Sequence, residues 1–339
     1  MTINLKQLSK LLNLSPTTVS RALGNYPDVS AKTRARVKQM AIQHGYQPNP
    51  VARRLQKGKT ETIGIVITPE QNYFSDTFFI DLLSGISNQI TRAGYELILG
   101  VASDEEHEMQ SMRRMVEGKR VDGMILTLIR EQDPRVGYLL DRDFPFVLYG
   151  RTRETRPYAF VDMDGKQAFE KACTYLAGLG HRRIALLNGE PGFMFPVGCR
   201  EGYESGLFLS GLELDPDLIQ EWKQKDPSQS SYRWTLELFK NDNPPTAILF
   251  QTEAVNGIFK GLDELNLQPG KDVALIGYDD LEIARIHRPS LSVLRPQAKE
   301  AGQRVVNILM EVIKGEDPGK FQEIHQVEMV IRETSLPPS

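Results

Sequence analysis

Leucines at 5, 8, 11 and 12 recur at i, i+3, i+6 and i+7, which predicts a short helix with one apolar face. Asn13 and Leu14 read as a turn. Ser15 before Pro16 supplies an N-cap and a first helical residue. The helix they open turns Val19, Ala22 and Leu23 inward and closes at Gly24-Asn25. Its other face carries Thr17, Ser20 and Arg21, with Thr17 and Arg21 four apart and so neighbours. Ser30 caps a third helix, in which Val37, Met40, Ala41 and His44 form the apolar stripe and Gly45 the stop. Two helices joined by a tight turn, the second with a polar, basic outer face, read as a helix-turn-helix. Asn49 and Pro50 open a fourth helix that Gly58 ends; shorter than the ~12 residues a lone helix needs in water, it is expected to be coil until packed on something. Plain linker is the other reading of that segment. A capped helix with Arg53, Arg54 and a protruding Leu55 has what a minor-groove wedge needs.

From residue 62 the pattern changes to short apolar runs alternating with longer amphipathic ones. Strands are predicted at 62–68, 95–101, 123–127 and 146–149, with helices near 79–93, 105–117 and 133–142. The rhythm resumes after 159–161 with strands at 184–188, 247–250 and 273–278. This alternation predicts parallel sheets covered on both faces. A break around 155–160 splits it into two similar α/β lobes, with a ligand expected beyond the carboxyl ends of the strands, in the cleft between them. The fold class expected is an all-α helix-turn-helix headpiece followed by an α/β core of two doubly wound parallel-sheet lobes.

Charge sharpens the picture. The 339 residues carry a net charge of −3, yet residues 1–59 hold eleven Lys and Arg against one acid, Asp28, leaving 30 bases and 43 acids for the rest. A short, helical, basic end facing an acidic remainder points to double-stranded DNA. Thr17 can touch a thymine methyl or exchange hydrogen bonds; Arg21 can fork onto guanine or clamp a phosphate. Lys6, Lys32, Arg34 and Arg36 read as phosphate contacts that position without specifying. Two cysteines, Cys173 and Cys199, make no disulfide framework and suit a reducing, cytoplasmic setting. No run approaches the ~18 apolar residues of a membrane span. The five histidines show no metal-ligand spacing, and neither a phosphate-binding Gly-Lys loop nor a Gly-x-Ser-x-Gly elbow is present. No catalytic residue, metal or cofactor is therefore expected, and an enzyme is a poor reading.

The strings SPTTVSRAL (15–23), VSAKTRARV (29–37), HGYQPNPVARRL (44–55) and KTETIGIV (59–66) resemble the DNA-binding end of the LacI/GalR family of bacterial transcription regulators. LGHRRIALLNG (179–189), DVALIGYDD (272–280) and VIRET (330–334) resemble the same family's periplasmic-sugar-binding-protein-like core, so the likeness spans residues 2–336. The resemblance implies a homodimeric, ligand-responsive repressor on a pseudo-palindromic operator, with contacts at Thr17, Thr18, Ser20, Arg21, Asn49, Ala52, Arg53 and Leu55. Its hinge helix forms on the operator, and Leu55 enters the central minor groove. The implied division is 1–46 headpiece, 47–59 hinge, 60–160 with 292–322 first lobe, and 161–291 with 323–339 second lobe, the chain crossing between lobes three times. The end of the chain shows no leucine heptads, so a dimer is expected.

For the effector the resemblance implies Asp279 at a strand end, the aromatic pair Phe78 and Phe79, Asp162 after the lobe crossover, and Thr252. Arg130 and Trp222 are further candidates for a fork donor and a stacking face. Phe78 and Phe79 also fit a core at helical spacing, and Asp280 fits a helix N-cap. The family often places an effector arginine three residues before the glycine here numbered 202; that slot is Cys199, with Arg200 one position later, a rotation of ~100° on a helix. Carboxylates with aromatics favour a mono- or disaccharide. DPRVGYLL and FPFVLYGRT (133–140, 144–152) resemble the branch associated with α-glucosides. A purine or sugar-phosphate corepressor, or a sugar-binding protein with no regulatory role on DNA, are the other readings.

Overall fold

The computed structural model describes residues 3–46, 59–67, 77–221 and 227–337. The chain forms two compact units, Met1–Glu61 and Thr62–Ser339.

In the first unit, α1 (Leu5–Leu12), α2 (Pro16–Leu23) and α3 (Ala31–Gln43) enclose Leu8, Leu12, Val19, Ala22, Val29, Val37 and Ala41. Each helix opens on the cap its sequence announces. Asn4 and Gln7 form a reciprocal capping box, Ser15 accepts from the Thr18 amide, and Ser30 from that of Thr33. Two expectations fail. Leu11 is 52% exposed, because it lies ~120° around the helix from Leu5 and ~100° from Leu12, at the margin of the face they share with Leu8. His44 is an exposed C-cap beyond the apolar stripe.

The second unit holds two six-stranded sheets. The first is built from β1 (Thr62–Ile67), β2 (Glu96–Val101), β3 (Gly123–Leu126), β4 (Phe146–Tyr149), β5 (Ala159–Met163) and β11 (Gln322–His325), in the order β2-β1-β3-β4-β5-β11 and all parallel. The second has β6 (Ile184–Asn188), β7 (Ile219–Glu221), β8 (Ala247–Gln251), β9 (Ala274–Tyr278), β10 (Ser292–Arg295) and β12 (Glu328–Val330), in the order β7-β6-β8-β9-β10-β12, with only β12 antiparallel. Side chains alternate across each sheet. Ile63, Ile65 and Ile67 enter one apolar cluster, which continues through Ile184, Leu186 and Leu249 into the other lobe. Val66, Met124, Leu126 and Leu148 face the opposite side of the first sheet.

The connecting helices are α4 (Thr77–Arg92), α5 (Glu105–Glu117), α6 (Pro134–Leu140), α7 (Gly165–Gly178), α8 (Met194–Leu209), α9 (Pro227–Leu238), α10 (Val255–Glu264), α11 (Glu282–Ile286) and α12 (Ala298–Ile313). Close crossings depend on glycine. A Cβ on Gly202 of α8 would sit 2.1 Å from the Lys166 carbonyl oxygen of α7, and one on Gly85 of α4 would sit 2.1 Å from that of Lys299 on α12.

The lobe boundaries differ from those the sequence suggested. β5 stays in the first sheet as far as Met163, three residues beyond 160. Ser292–Arg295 belongs to the second sheet, where it pairs with β9 in parallel, so the return to the first lobe begins after Arg295 rather than at 292. β11 then runs to His325 beside β5. β7, β10, β11 and β12 escape the sequence pattern because each short run mixes in polar residues, unlike the apolar β3 and β4, and three of the four lie at sheet edges. Among the described residues, no helix is long and apolar enough to cross a membrane.

Candidate functional site

The candidate DNA-reading face is the exposed side of α2. Ser15 stands in extended conformation, so its hydroxyl oxygen reaches the Thr18 amide at 3.0 Å and shares a hydrogen bond with the Thr18 hydroxyl at 2.8 Å. Thr18 is thereby committed to the cap and is half-buried, as is Ser20. Thr17 and Arg21 are exposed on one stripe. The Arg21 Nε donates to Asp28 Oδ2 at 2.8 Å, and its guanidinium carbon lies 4.7 Å from the centre of the Tyr26 ring. That hydrogen bond holds the Asp28 carboxyl below its ordinary range. Arg34 and Arg36, read as phosphate contacts, also donate to the carbonyls of Asn25 and Leu12, at 3.3 and 3.2 Å. Asn49, Ala52, Arg53 and Leu55 lie outside the described residues.

In the core, strand carboxyl ends of the two lobes converge. Main chain meets main chain there: the Met194 amide donates to the Ile129 carbonyl at 2.9 Å, and that of Glu131 to Gly192 at 3.0 Å, an antiparallel bridge between the segments after β3 and β6. Beside this strap, Asp162 from β5 and Asp279 after β9 both act on the buried thiol of Cys199, whose pKa is raised first by burial and then by these two carboxylates. The Tyr278 hydroxyl, buried and raised likewise, feels Tyr149, Asp279, Cys199 and Asp162. Ring pairs accompany these groups: Phe78 with Tyr149 at 5.9 Å, and Phe195 with Tyr278 at 4.6 Å between centroids. Burial raises the Asp162 carboxyl, and the Arg151 Nε donates to it at 2.5 Å from the loop after β4. Two buried polar atoms at strand ends, Thr127 Oγ1 and Asn188 Oδ1, have no hydrogen-bond partner among the described residues. Such atoms are costly unless something else completes them.

Not every candidate joins this cluster. Phe79 is 3% exposed and belongs to the core. The Thr252 hydroxyl donates to the Asp279 carbonyl at 2.8 Å, pinning a backbone with φ of 82°, so Thr252 positions Asp279 from beneath. Arg130 donates to Glu105 and to Glu108, both at 3.0 Å. Glu108 also takes Arg135 at 2.7 Å, and Arg135 grips Asp133 at 2.6 Å. Arg130 thus serves a buried ion network that braces the 127–133 loop. Arg200 points away from the two aspartates and pairs with Glu204 at 2.9 Å and Glu221 at 3.4 Å; Cys199 occupies the inward position, as the helical phase requires. Asp280 caps no helix. Leu281 is the N-cap of α11, while Asp280 receives Arg332 at 2.7 Å, Arg285 at 2.8 Å and Arg295 at 3.5 Å. Trp222 lies outside the described residues. Sequence reasoning missed Tyr149, Arg151, Phe195, Tyr278, Thr127 and Asn188; most of them stand at or just past strand ends, which was the available signal. Among the described residues, no group of His, Cys, Asp and Glu could hold a metal ion. A cavity of about 440 Å³ lined by Arg182, Arg183, Leu207 and Leu214 lies at the amino end of β6, away from this cluster.

Residues 4–49 match the model of the bacterial regulatory proteins of the lacI family, and residues 173–335 that of the periplasmic binding protein-like domain. The HTH-type transcriptional regulator AglR of Rhizobium meliloti (strain 1021) is 34% identical over 99% of this chain and 95% of its own length. A lac repressor dimer solved with operator and the anti-inducer ONPF superposes with a TM-score of 0.85 at 21% identity, over 99% of this chain and 100% of that one. The complex of the transcriptional regulator CelR with cellobiose gives a TM-score of 0.75 at 23% identity, over 98% and 99%.

Proposed function

Since the chain belongs to the lacI family of bacterial regulatory proteins, we propose that it is a cytoplasmic, homodimeric repressor whose hold on a pseudo-palindromic operator is set by a neutral sugar, of mono- or disaccharide size, bound between its lobes. The observation that supports the sugar is that Asp162 and Asp279, one from each lobe, both bear on Cys199 and Tyr278, beside the ring pairs Phe78–Tyr149 and Phe195–Tyr278. Carboxylates accept hydrogen bonds from vicinal hydroxyls, while aromatic faces cover the CH faces of a pyranose. A phosphate or other anion would meet two carboxylates, with Cys199 rather than an arginine turned inward from α8 and the Arg151 guanidinium already bonded to Asp162, which weighs against a sugar phosphate. The CelR relative carries cellobiose on the same fold.

Two copies place two α2 helices in successive major grooves, where Thr17 and Arg21 reach base edges. The segment with Asn49, Ala52, Arg53 and Leu55 joins each headpiece to its core, and its folding in the minor groove is the step the sugar governs. Closure of the lobes on the sugar changes how the two cores pair, and through the connecting segments the spacing of the two headpieces. A coupling of ~1–3 kcal/mol, typical between two linked sites, is enough to shift occupancy.

The test pairs titration calorimetry on a panel of mono- and disaccharides with operator binding by fluorescence anisotropy. Asp279→Ala is expected to weaken sugar binding by ~30-fold or more, since a buried carboxylate–hydroxyl pair is worth roughly 2–3 kcal/mol, while unliganded operator affinity holds. No sugar altering either heat or operator affinity, with a purine doing so, would overturn the sugar assignment.

A further inference from the structure

The first 59 residues contain a single carboxylate among eleven basic side chains, and it is bonded to the arginine on the exposed face of α2. A like-signed neighbour of the DNA backbone is an odd occupant of that face unless its charge does something there. Its placement is fixed rather than fortuitous. The Tyr26 amide donates to the Arg21 carbonyl at 3.1 Å, the Val29 amide to the Tyr26 carbonyl at 3.3 Å, and Val29 is anchored in the headpiece core. Gly24 clears the space that the Tyr26 ring fills, since a Cβ there would lie 2.8 Å from the ring. Arg21 is thus held from two sides, by the ring under its plane and by the carboxylate on Nε.

We propose that Asp28 is a positioning residue for base reading: it and Tyr26 fix Arg21 so that the Nη edge stands as a preformed fork for guanine instead of swinging to a phosphate. Nε is one of five donors; engaging it leaves the two Nη groups on the edge whose spacing matches guanine O6 and N7. An arginine on a loose tether falls onto the nearest phosphate, a contact that carries no sequence information. The Asp28 charge also repels phosphate oxygens, so it weakens binding to arbitrary duplex and widens the gap between right and wrong sites. The proposal rests on α2 being the base-reading helix.

The test uses the full chain, duplexes recovered from a randomised library by the unaltered protein, and random-sequence duplex of equal length as the non-specific probe. The base pair read by Arg21 is the one whose preference Arg21→Ala erases. At that pair, Asp28→Asn and Asp28→Ala are expected to lower discrimination ~10-fold, within the range for one bidentate contact. Random duplex should be bound several-fold more tightly, with the slope of log K against log salt steeper by ~0.9, one more phosphate contact's worth. Asp28→Glu should restore part of the discrimination. The pair is exposed, so these variants keep the fold, checked by an unchanged melting temperature. Equal loss on both duplexes, or an unchanged preference and salt slope in Asp28→Asn, would overturn the proposal. So would Arg21→Ala leaving every base preference intact. In that last case Thr17→Ala tells the failures apart: a preference lost there keeps α2 as the reading helix, and none lost removes it.

Discussion

Glu108 shows how much a single buried residue can carry. It is 2% exposed and accepts from both Arg135 and Arg130, so removing its charge leaves Arg135 to Asp133 and Arg130 to the exposed Glu105. Glu108→Gln is expected to destabilise the core unit by ~1–3 kcal/mol in urea denaturation, the worth of buried hydrogen bonds to a charged group. Asp133, buried, and Asp162, half-buried, respond to pH in opposite senses. Burial tends to raise Asp133, but hydrogen bonds and charge from Arg135 outweigh it and leave its carboxyl below the ordinary value. Its stabilisation is complete above the unfolded pKa of ~3.9 and drains away as pH falls below that. Asp162 is raised by burial. Its neutral form favours the fold at low pH, and that contribution is lost as pH climbs through the raised value. Asp162→Asn should therefore gain melting temperature relative to the unaltered protein as pH moves from 4 to 7, whereas the deficit of Asp133→Asn should hold steady over that range and shrink as pH falls below 4. Single residues were also where the sequence spoke least. Asp279 stood out as an acid at a strand end, whereas Asp162 was named only through the family resemblance. The partners of Arg130 stand 22 and 25 positions away and leave no local trace.

Elements were legible where their chemistry was local. All three headpiece helices announce themselves through Asn4, Ser15 and Ser30, and the long strands through runs such as Ile63–Ile67. β10 and β12 were not, since their pairing is decided by residues 33 to 37 positions apart. α8 lies between: its phase was readable, and it places Cys199 inward and Arg200 outward, yet only contact with α7 shows why. Gly202 rests on the Lys166 carbonyl, and adding one methyl must push the helices apart. Gly202→Ala is expected to cost ~1–3 kcal/mol by thermal denaturation, the usual penalty of overpacking. Because α8 also carries Cys199, it should weaken sugar binding beyond what the stability loss alone explains.

At the scale of the whole core, the two lobes meet both through the shared apolar cluster and through the strap joining 129–131 to 192–194. Met194→Pro offers a clean probe. Met194 is the first residue of α8 and follows Phe193 in extended conformation, so proline suits the position while deleting the amide that reaches Ile129. Sugar dissociation measured by stopped flow should quicken by ~3–10-fold, the worth of one hydrogen bond, with the melting temperature little changed. The strap itself consists of amides and carbonyls, which every residue brings regardless of its side chain. A descendant of this protein could therefore exchange the residues that choose its effector, one after another, and still register occupancy by the same clasp.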